Sequence, residues 1–243
     1  MDMTRVLIGT EERSGRAYTV EEETTIETGG LGEPGPWTFV NWTRYRQDAT
    51  GLYVADVATS EPPVLDAGSG QTGSVASKQG ASAARRTLPA GISARLPKAE
   101  RDAYAIAWER LQARMADVRS LARFDAATVG PPGGILSGEI TRLRYPLHPR
   151  AAWVIRSEPL FTSTVEAAEP LDLPAGNFPA WRIRLGSGLF GPDDTAHVWY
   201  SRSGQLALRY HLVGIATDID GNEIGRLVAD WDEVLSNLAL VKP

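Results

Sequence analysis

The chain has 243 residues, a net charge of −5, 42% hydrophobic residues and no cysteine. The absence of cysteine excludes disulfides, zinc ribbons and thiol catalysis, and the scattered basic residues offer no clustered face to nucleic acid. No apolar run approaches the roughly 18 residues that a membrane-crossing helix needs. We therefore expect a globular protein with no membrane span and no nucleic-acid partner.

Residues 16–59 are predicted to form an antiparallel meander of three strands. In residues 17–28, apolar side chains such as Tyr18 and Val20 alternate with threonine and glutamate, as a strand with one solvated face requires. Turns rich in Gly, Pro and Asp separate the strands. The predicted strands are residues 17–28, 37–46 and 52–59.

Residues 66–93 are dominated by Gly, Ser and Ala without an apolar period, which predicts a flexible loop. The stretch from Gly68 to Gly73 matches G-x-G-x-x-G and superficially resembles the cofactor loop of S-adenosylmethionine methyltransferases. That chemistry needs a helix directly after the loop and an acidic residue roughly 20 positions later. Residues 74–95 contain no Asp or Glu. A methyltransferase-like enzyme is therefore the disfavoured alternative.

One long amphipathic helix is predicted over residues 98–124. Pro97 stands at its entry, where a missing N–H costs nothing. Apolar residues at spacings of three and four form a single stripe. Polar residues, including Asp117 and Arg119, are predicted to cover the rest of the helix. The stripe consists of Tyr104, Trp108, Leu111, Met115, Val118 and Ala122.

Strands return after Ile135, with two predicted hairpins. The first joins residues 198–201 to 206–212, and the second joins 213–217 to 224–228 through Asp220-Gly221. Alternation predicts Leu208 and Tyr210 on one face, and His197 and His211 on opposite sides of the first hairpin. Residues 229–240 fit either a helix or a continuing strand.

No catalytic signature is found in the sequence. Residues 218–223 resemble part of a calcium loop, but Ala216 and Leu227 would occupy ligand positions, so a turn is favoured. The adjacent carboxylates Asp193 and Asp194 are predicted to lie in a loop. We expect no catalytic residue, no metal and no cofactor.

A family resemblance rests on residues 143–212. Its elements, in order, are Tyr145-Pro146-Leu147, Trp153-Val154-Ile155-Arg156, Val165-Glu166, Leu173-Pro174-Ala175-Gly176-Asn177-Phe178-Pro179-Ala180-Trp181-Arg182-Ile183, Val198-Trp199-Tyr200-Ser201 and Gly204. This order resembles a group of uncharacterised bacterial periplasmic proteins and lipoproteins. That group is similar in fold to the lipoprotein-localisation carriers, in which an unclosed antiparallel barrel wraps around helices.

The resemblance implies a fold and a periplasmic or cell-envelope location, but no chemistry. Arg150 stands where that group more often has glycine, so we expect the turn there to differ. The first 15 residues lack the apolar core of a signal peptide. The sequence therefore leaves a cytoplasmic location open beside the envelope.

The predicted fold class is α+β, mainly β: a curved antiparallel sheet, or unclosed barrel, wrapped on one long amphipathic helix in a single half-barrel domain over residues 1–243. Seven tryptophans fit either core packing or the aromatic walls of an apolar cavity. We expect a non-enzymatic cell-envelope protein whose partner is an apolar or lipid-like molecule, or an envelope protein. A structural or protein-interaction module is the alternative. The predicted ligand-lining residues are Tyr104, Trp108, Leu111, Met115, Trp181, Trp199, Leu208 and Tyr210.

Overall fold

The computed structural model describes residues 2–27, 37–55, 63–64, 96–97, 100–123, 139–157, 159–202 and 204–234. Within these ranges the chain forms one α-helix and eleven β-strands, and their apolar faces form the buried core. The elements are β1 (Asp2–Arg13), β2 (Arg16–Glu27), β3 (Trp37–Gln47), β4 (Gly51–Ala55), α1 (Arg101–Arg123), β5 (Glu139–Arg144), β6 (Ala152–Ser157), β7 (Leu160–Leu173), β8 (Gly176–Ser187), β9 (Thr195–Ser201), β10 (Gly204–Thr217) and β11 (Glu223–Val234).

The chain divides into two compact units, and each has its own sheet. The first unit comprises residues 1–83 and 123–146, and the second comprises residues 84–122 and 147–243. Strands β1–β5 belong to the first unit, whereas α1 and β6–β11 belong to the second. The single half-barrel domain over residues 1–243 stays a prediction.

The first unit is an antiparallel meander in the order β1-β2-β3-β4-β5. Strand β1 was not predicted, because its apolar residues do not keep a clean period of two. It pairs with β2 over its whole length, with a bulge between Leu7 and Gly9. Val20 and Trp42 are buried in this sheet beside an ion pair between Glu11 and Arg44.

The second unit is an antiparallel sheet in the order β11-β10-β9-β8-β7-β6, and both of its edge strands contact the same helix. On β6, Arg156 pairs with Asp117 at 3.3 Å. On β11, the ring of Trp231 lies 3.9 Å from the guanidinium carbon of Arg119. In a flat sheet the edges of six strands would be about 24 Å apart. The sheet must therefore curl around α1.

These observations confirm the predicted fold class. The described residues are mainly β, all strand pairs are antiparallel, and one long helix lies against a curved sheet. The first and last strands of each sheet do not pair with each other, so neither sheet closes within the described residues. The strands are divided between two sheets instead of forming one.

Helix α1 packs directly on the backbone of β10 and β11. A Cβ atom at Gly214 would lie 3.1 Å from the carbonyl oxygen of Ala107 and 3.3 Å from the Cβ of Leu111. At Gly225 a Cβ would overlap with the hydroxyl oxygen of Tyr104. Glycine at these two positions lets the helix approach closely.

The second predicted hairpin is confirmed, but its strands are longer than expected. Strand β10 is continuous from Gly204 to Thr217, where the sequence predicted two strands. Residues 218–222 form a turn, in which the Asp218 carboxylate accepts the backbone N–H of Asp220 and of Asn222. Strand β11 runs to Val234, so the first part of the ambiguous segment 229–240 is a strand, and residues 235–240 lie outside the described residues.

Arg150 has a φ of +72°, in the left-handed region that favours glycine. Its backbone N–H donates to the carbonyl oxygen of Val165 at 2.8 Å. The arginine therefore keeps a glycine-like backbone at the turn that we expected to differ.

Candidate functional site

The two faces of the second sheet can be assigned from its register, because directly opposed residues share a face. Leu208 opposes Val198, and Val198 opposes Ile183. Leu208 shares its face with Gly214, which packs against α1. We call the region between this face and α1 the helix–sheet layer, and the opposite side of the same strands the far face.

Most of the predicted ligand-lining residues belong to the helix–sheet layer. Leu111 and Leu208 have no exposed surface, and Tyr210 is also buried. Trp181 lies on the same face as Ile183, two residues along β8, and is half-buried. The helix contributes the rest of the set as one stripe, in which Tyr104, Trp108 and Met115 are half-buried.

Trp199 lies on the far face, away from Leu208 and Tyr210. A β-bulge places Gln205 opposite Tyr200 but Ala207 opposite Trp199, so Leu206 is an extra residue in β10. Without this bulge Trp199 would oppose Leu206 and share a face with Leu208. The structure therefore separates one predicted residue from the other seven.

The same bulge also changes the face on which His197 lies relative to His211. His197 opposes Arg209, which lies two residues from His211 on β10. Both histidines therefore lie on the far face, and the expectation that they lie on opposite sides was wrong. One inserted residue changes the face of every side chain beyond it in the pairing.

Three tryptophans of the helix–sheet layer bury an indole N–H that has no hydrogen-bond partner within the described residues: Trp108, Trp153 and Trp231. Trp153 opposes Ser163, which opposes Leu185 on the helix-facing side of β8. Buried indole N–H groups normally find an acceptor. Three orphan donors in one layer are therefore unusual.

The other buried tryptophans that the structure describes do have acceptors. The N–H of Trp199 donates to Glu169 at 2.8 Å. In the first unit, the N–H of Trp42 donates to Glu22 at 3.1 Å. Among the tryptophans that the structure describes, the buried N–H groups without an acceptor therefore lie in the helix–sheet layer.

A cation–aromatic cluster lies where α1 meets β10 and β11. The rings of Tyr210 and Trp231 are stacked, with centroids 6.2 Å apart and planes at 8°. The Nε of Arg119 donates to the hydroxyl of Tyr210 at 2.9 Å. Sequence analysis missed Trp231 because its spacing also fitted a helix, and missed Arg119 because it lies beside the apolar stripe.

Asp194 fastens α1 to the sheet. Its side chain has no exposed surface, and it pairs with Arg114 of the helix. It also accepts the backbone N–H of Gly191 at 2.9 Å and of Val213 at 2.7 Å. The loop position predicted for Asp194 is correct, but its contacts indicate a structural role.

A shallow depression of about 430 Å³ is lined by six residues of the far face together with Tyr210 and Trp231, which the register assigns to the helix–sheet layer. Burial lowers the pKa of His197, an effect that the nearby Glu166 carboxylate opposes. No group of three His, Asp or Glu side chains in the described ranges is placed to hold a metal ion. The depression is lined by Thr195, His197, Arg209, Tyr210, His211, Asp230, Trp231 and Asp232.

The first unit contains a network centred on Glu139. Arg46 donates to both of its carboxylate oxygens, at 2.7 and 2.8 Å, and Tyr18 donates at 2.8 Å. The hydrogen bonds from Arg46 are the main reason why the pKa of Glu139 falls to about 2. These groups pair with one another, so the network is a structural feature of the sheet.

The glycine-rich stretch from Gly68 to Gly73 lies outside the described residues. Among the described residues, no helix is long and apolar enough to cross a membrane.

Compared with known proteins, the chain matches no family model, no curated protein and no solved structure. The resemblance to bacterial periplasmic proteins and lipoproteins therefore stays a prediction.

Proposed function

We propose that the second unit binds a single-chain amphiphile in its helix–sheet layer, and that the protein serves as a non-enzymatic carrier or sensor in the cell envelope. The observation that carries this proposal is the set of orphan N–H donors at Trp108, Trp153 and Trp231. A buried donor without an acceptor costs about 1–3 kcal/mol. A ligand that brings acceptor oxygens into the layer would recover part of that energy.

The apolar part of the ligand would contact side chains that the sheet and helix leave half-buried. These are Trp108 and Met115 on α1 and Trp181 on β8. Aromatic and thioether side chains adapt to a flexible alkyl chain better than fully packed aliphatic residues do. Leu111 and Leu208 would act as the fixed floor of the layer, since neither is exposed.

The envelope location rests on the resemblance in residues 143–212 alone. A non-enzymatic role is supported by the structural contacts of Asp194 and Glu139, two carboxylates that the chain uses to hold its own fold. A cytoplasmic amphiphile-binding protein would satisfy the same contacts.

Binding can be tested with 9,10-dibromostearate, whose bromine atoms quench nearby tryptophans. We expect saturable quenching of the fluorescence of the folded protein. In Trp108→Phe the quenched signal should fall, because the alkyl chain would no longer lie beside an indole at this position.

Trp199→Phe is the matched control, because Trp199 is buried on the far face. This variant should lose fluorescence but keep the absolute amount of quenching. Absence of saturable quenching would refute the proposal, and so would an equal loss of quenching in both variants, which would place the ligand outside the helix–sheet layer.

A further inference from the structure

The half-buried arginines of the second unit differ in how their charges are balanced. Arg114 pairs with Asp194, Arg156 with Asp117, and Arg182 with carboxylates of β7. Among the half-buried arginines that the structure describes in this unit, only Arg119 has no carboxylate partner. Its Nε donates to the neutral hydroxyl of Tyr210.

No carboxylate of the described residues forms an ion pair with Arg119. Glu233 lies on the helix-facing side of β11, two residues from Trp231, and opposes Leu208. No ion pair joins Glu233 to Arg119 among the described residues. Asp117 is engaged by Arg156 on the other flank of the helix.

A second observation places an unused donor beside this charge. The guanidinium carbon of Arg119 lies 3.9 Å from the centroid of the Trp231 ring. The N–H of that same ring is buried and has no partner within the described residues. One cation and one N–H donor therefore lie close together, next to the Tyr210 hydroxyl. Carboxylates and phosphates are the groups that such a set recognises, because guanidinium binds them through parallel N–H bonds.

We infer that the ligand of the helix–sheet layer has an anionic head group, a carboxylate or a phosphate, and that Arg119 and Trp231 bind it. This inference rests on the proposed function, since it assigns the polar end of the same ligand. The alkyl chain then extends along the layer toward Trp108 and Met115.

The inference can be tested with ligands that share a chain and differ in charge. Dodecanoate and dodecyl phosphate carry an anion, whereas methyl dodecanoate and dodecanol do not, and acetate and inorganic phosphate carry the anion without a chain. Dissociation constants are measured at neutral pH by competition with dibromostearate. We expect the two anionic amphiphiles to bind at least about tenfold more tightly than the neutral ones.

Arg119→Gln should remove that preference while binding of methyl dodecanoate persists. Arg209→Gln is the matched control: Arg209 also lies over a tryptophan, 5.3 Å from the Trp199 ring centroid, but on the far face and paired with Asp232. This control should keep the preference. Trp231→Phe, which keeps the ring and removes the N–H, should reduce the preference severalfold, and it provides an independent variant if Arg119→Gln does not fold.

The outcomes separate the two proposals. Equal binding of charged and neutral amphiphiles, unaffected by Arg119→Gln, would overturn the anionic head group and leave amphiphile binding in place. Absence of binding by every amphiphile would overturn both. Competition by acetate or inorganic phosphate at the same concentrations would show a site for free anions and would overturn the role of the chain.

Discussion

The two faces of the second sheet are built from the same strands, but they differ in whether their polar groups have partners. On the far face, polar side chains pair across strands: Arg209 with Asp232 at 2.9 Å, and His211 with Asp230 at 2.7 Å. In the helix–sheet layer, Arg119 has no carboxylate and three indole N–H groups have no acceptor among the described residues. Polar groups of the far face thus pair with one another, whereas the layer contains donors that have no partner among the described residues.

Polar groups do not lack partners throughout the helix–sheet layer. Where α1 must be held in place, its polar contacts are complete, as at Asp194, which is bonded by a guanidinium and two backbone N–H groups. The N–H groups without a partner among the described residues belong to Trp231, which stacks on Tyr210, and to Trp108 and Trp153. Retaining buried unsatisfied donors costs stability, so their concentration in one layer favours a binding role over chance.

The largest effect expected from this comparison concerns the adjacent residues Asp193 and Asp194. Asp194→Ala removes a buried carboxylate and leaves Arg114 uncompensated, which should lower the free energy of unfolding by about 3–5 kcal/mol. Asp193 pairs with the exposed Arg226 at 3.0 Å, so Asp193→Ala should cost less than about 1 kcal/mol. Urea unfolding followed by circular dichroism measures both. Similar losses of stability in the two variants would contradict a structural role that Asp194 has and Asp193 lacks.

A second test compares tryptophans of equal burial on the two sides. Trp153 and Trp199 are 6% and 5% exposed. Replacement by Phe deletes the same atoms from each, so packing losses largely cancel in the difference. Trp199→Phe also removes a hydrogen bond to the Glu169 carboxylate, whereas Trp153→Phe removes an orphan donor. We expect Trp199→Phe to be more destabilising by roughly 1.5 kcal/mol.

This difference is measured by chemical denaturation of the ligand-free protein. Equal losses would show that the N–H of Trp153 has an acceptor in solution, and the contrast between the two faces would then be weaker.

Local patterns in the sequence predicted the helix and most strands. The stripe through Leu111 and Val118 is buried as its spacing of three and four requires. The strands of both hairpins follow from alternation and turn residues. What these elements share is that their determinants lie within a few residues of one another.

The composition of the candidate site depends on contacts that are distant in sequence. The bulge at Leu206 is accompanied by packing of Leu206 with Leu171, Ala180 and Trp199, which come from three other strands. No pattern within β10 specifies an extra residue there. Because the prediction assumed a regular hairpin without this bulge, it assigned Trp199 to the wrong face of the sheet.

Arg119 was missed for a different physical reason. A helix on a flat sheet has one buried stripe, and polar residues beside that stripe are expected to be solvated. Because the sheet curls, its two edges reach both flanks of α1, where they meet Asp117 and Arg119. Curvature results from the packing of all six strands, so it could not be derived from the helix sequence.

The smallest expected effect concerns His197 on the far face, where burial and the attraction of Glu166 shift the pKa of the imidazole in opposite directions. Burial lowers the pKa of this imidazole below its ordinary value of 6.5, and Glu166, 3.2 Å away, opposes the shift. The unfolded chain then binds the proton more readily than the folded protein. This contribution to stability is complete above pH 6.5 and is lost as the pH falls through 6.5 toward the folded pKa.

Unfolding free energies measured between about pH 8 and pH 5 should therefore decrease on acidification, and His197→Gln should remove that component of the slope. A wild-type slope that His197→Gln leaves unchanged would exclude His197 as its source. If the component contributed by His197 instead increased stability on acidification, the attraction of Glu166 would outweigh burial. The far face would then gain an ion pair at low pH, and the contrast with the uncompensated charge of Arg119 would become sharper.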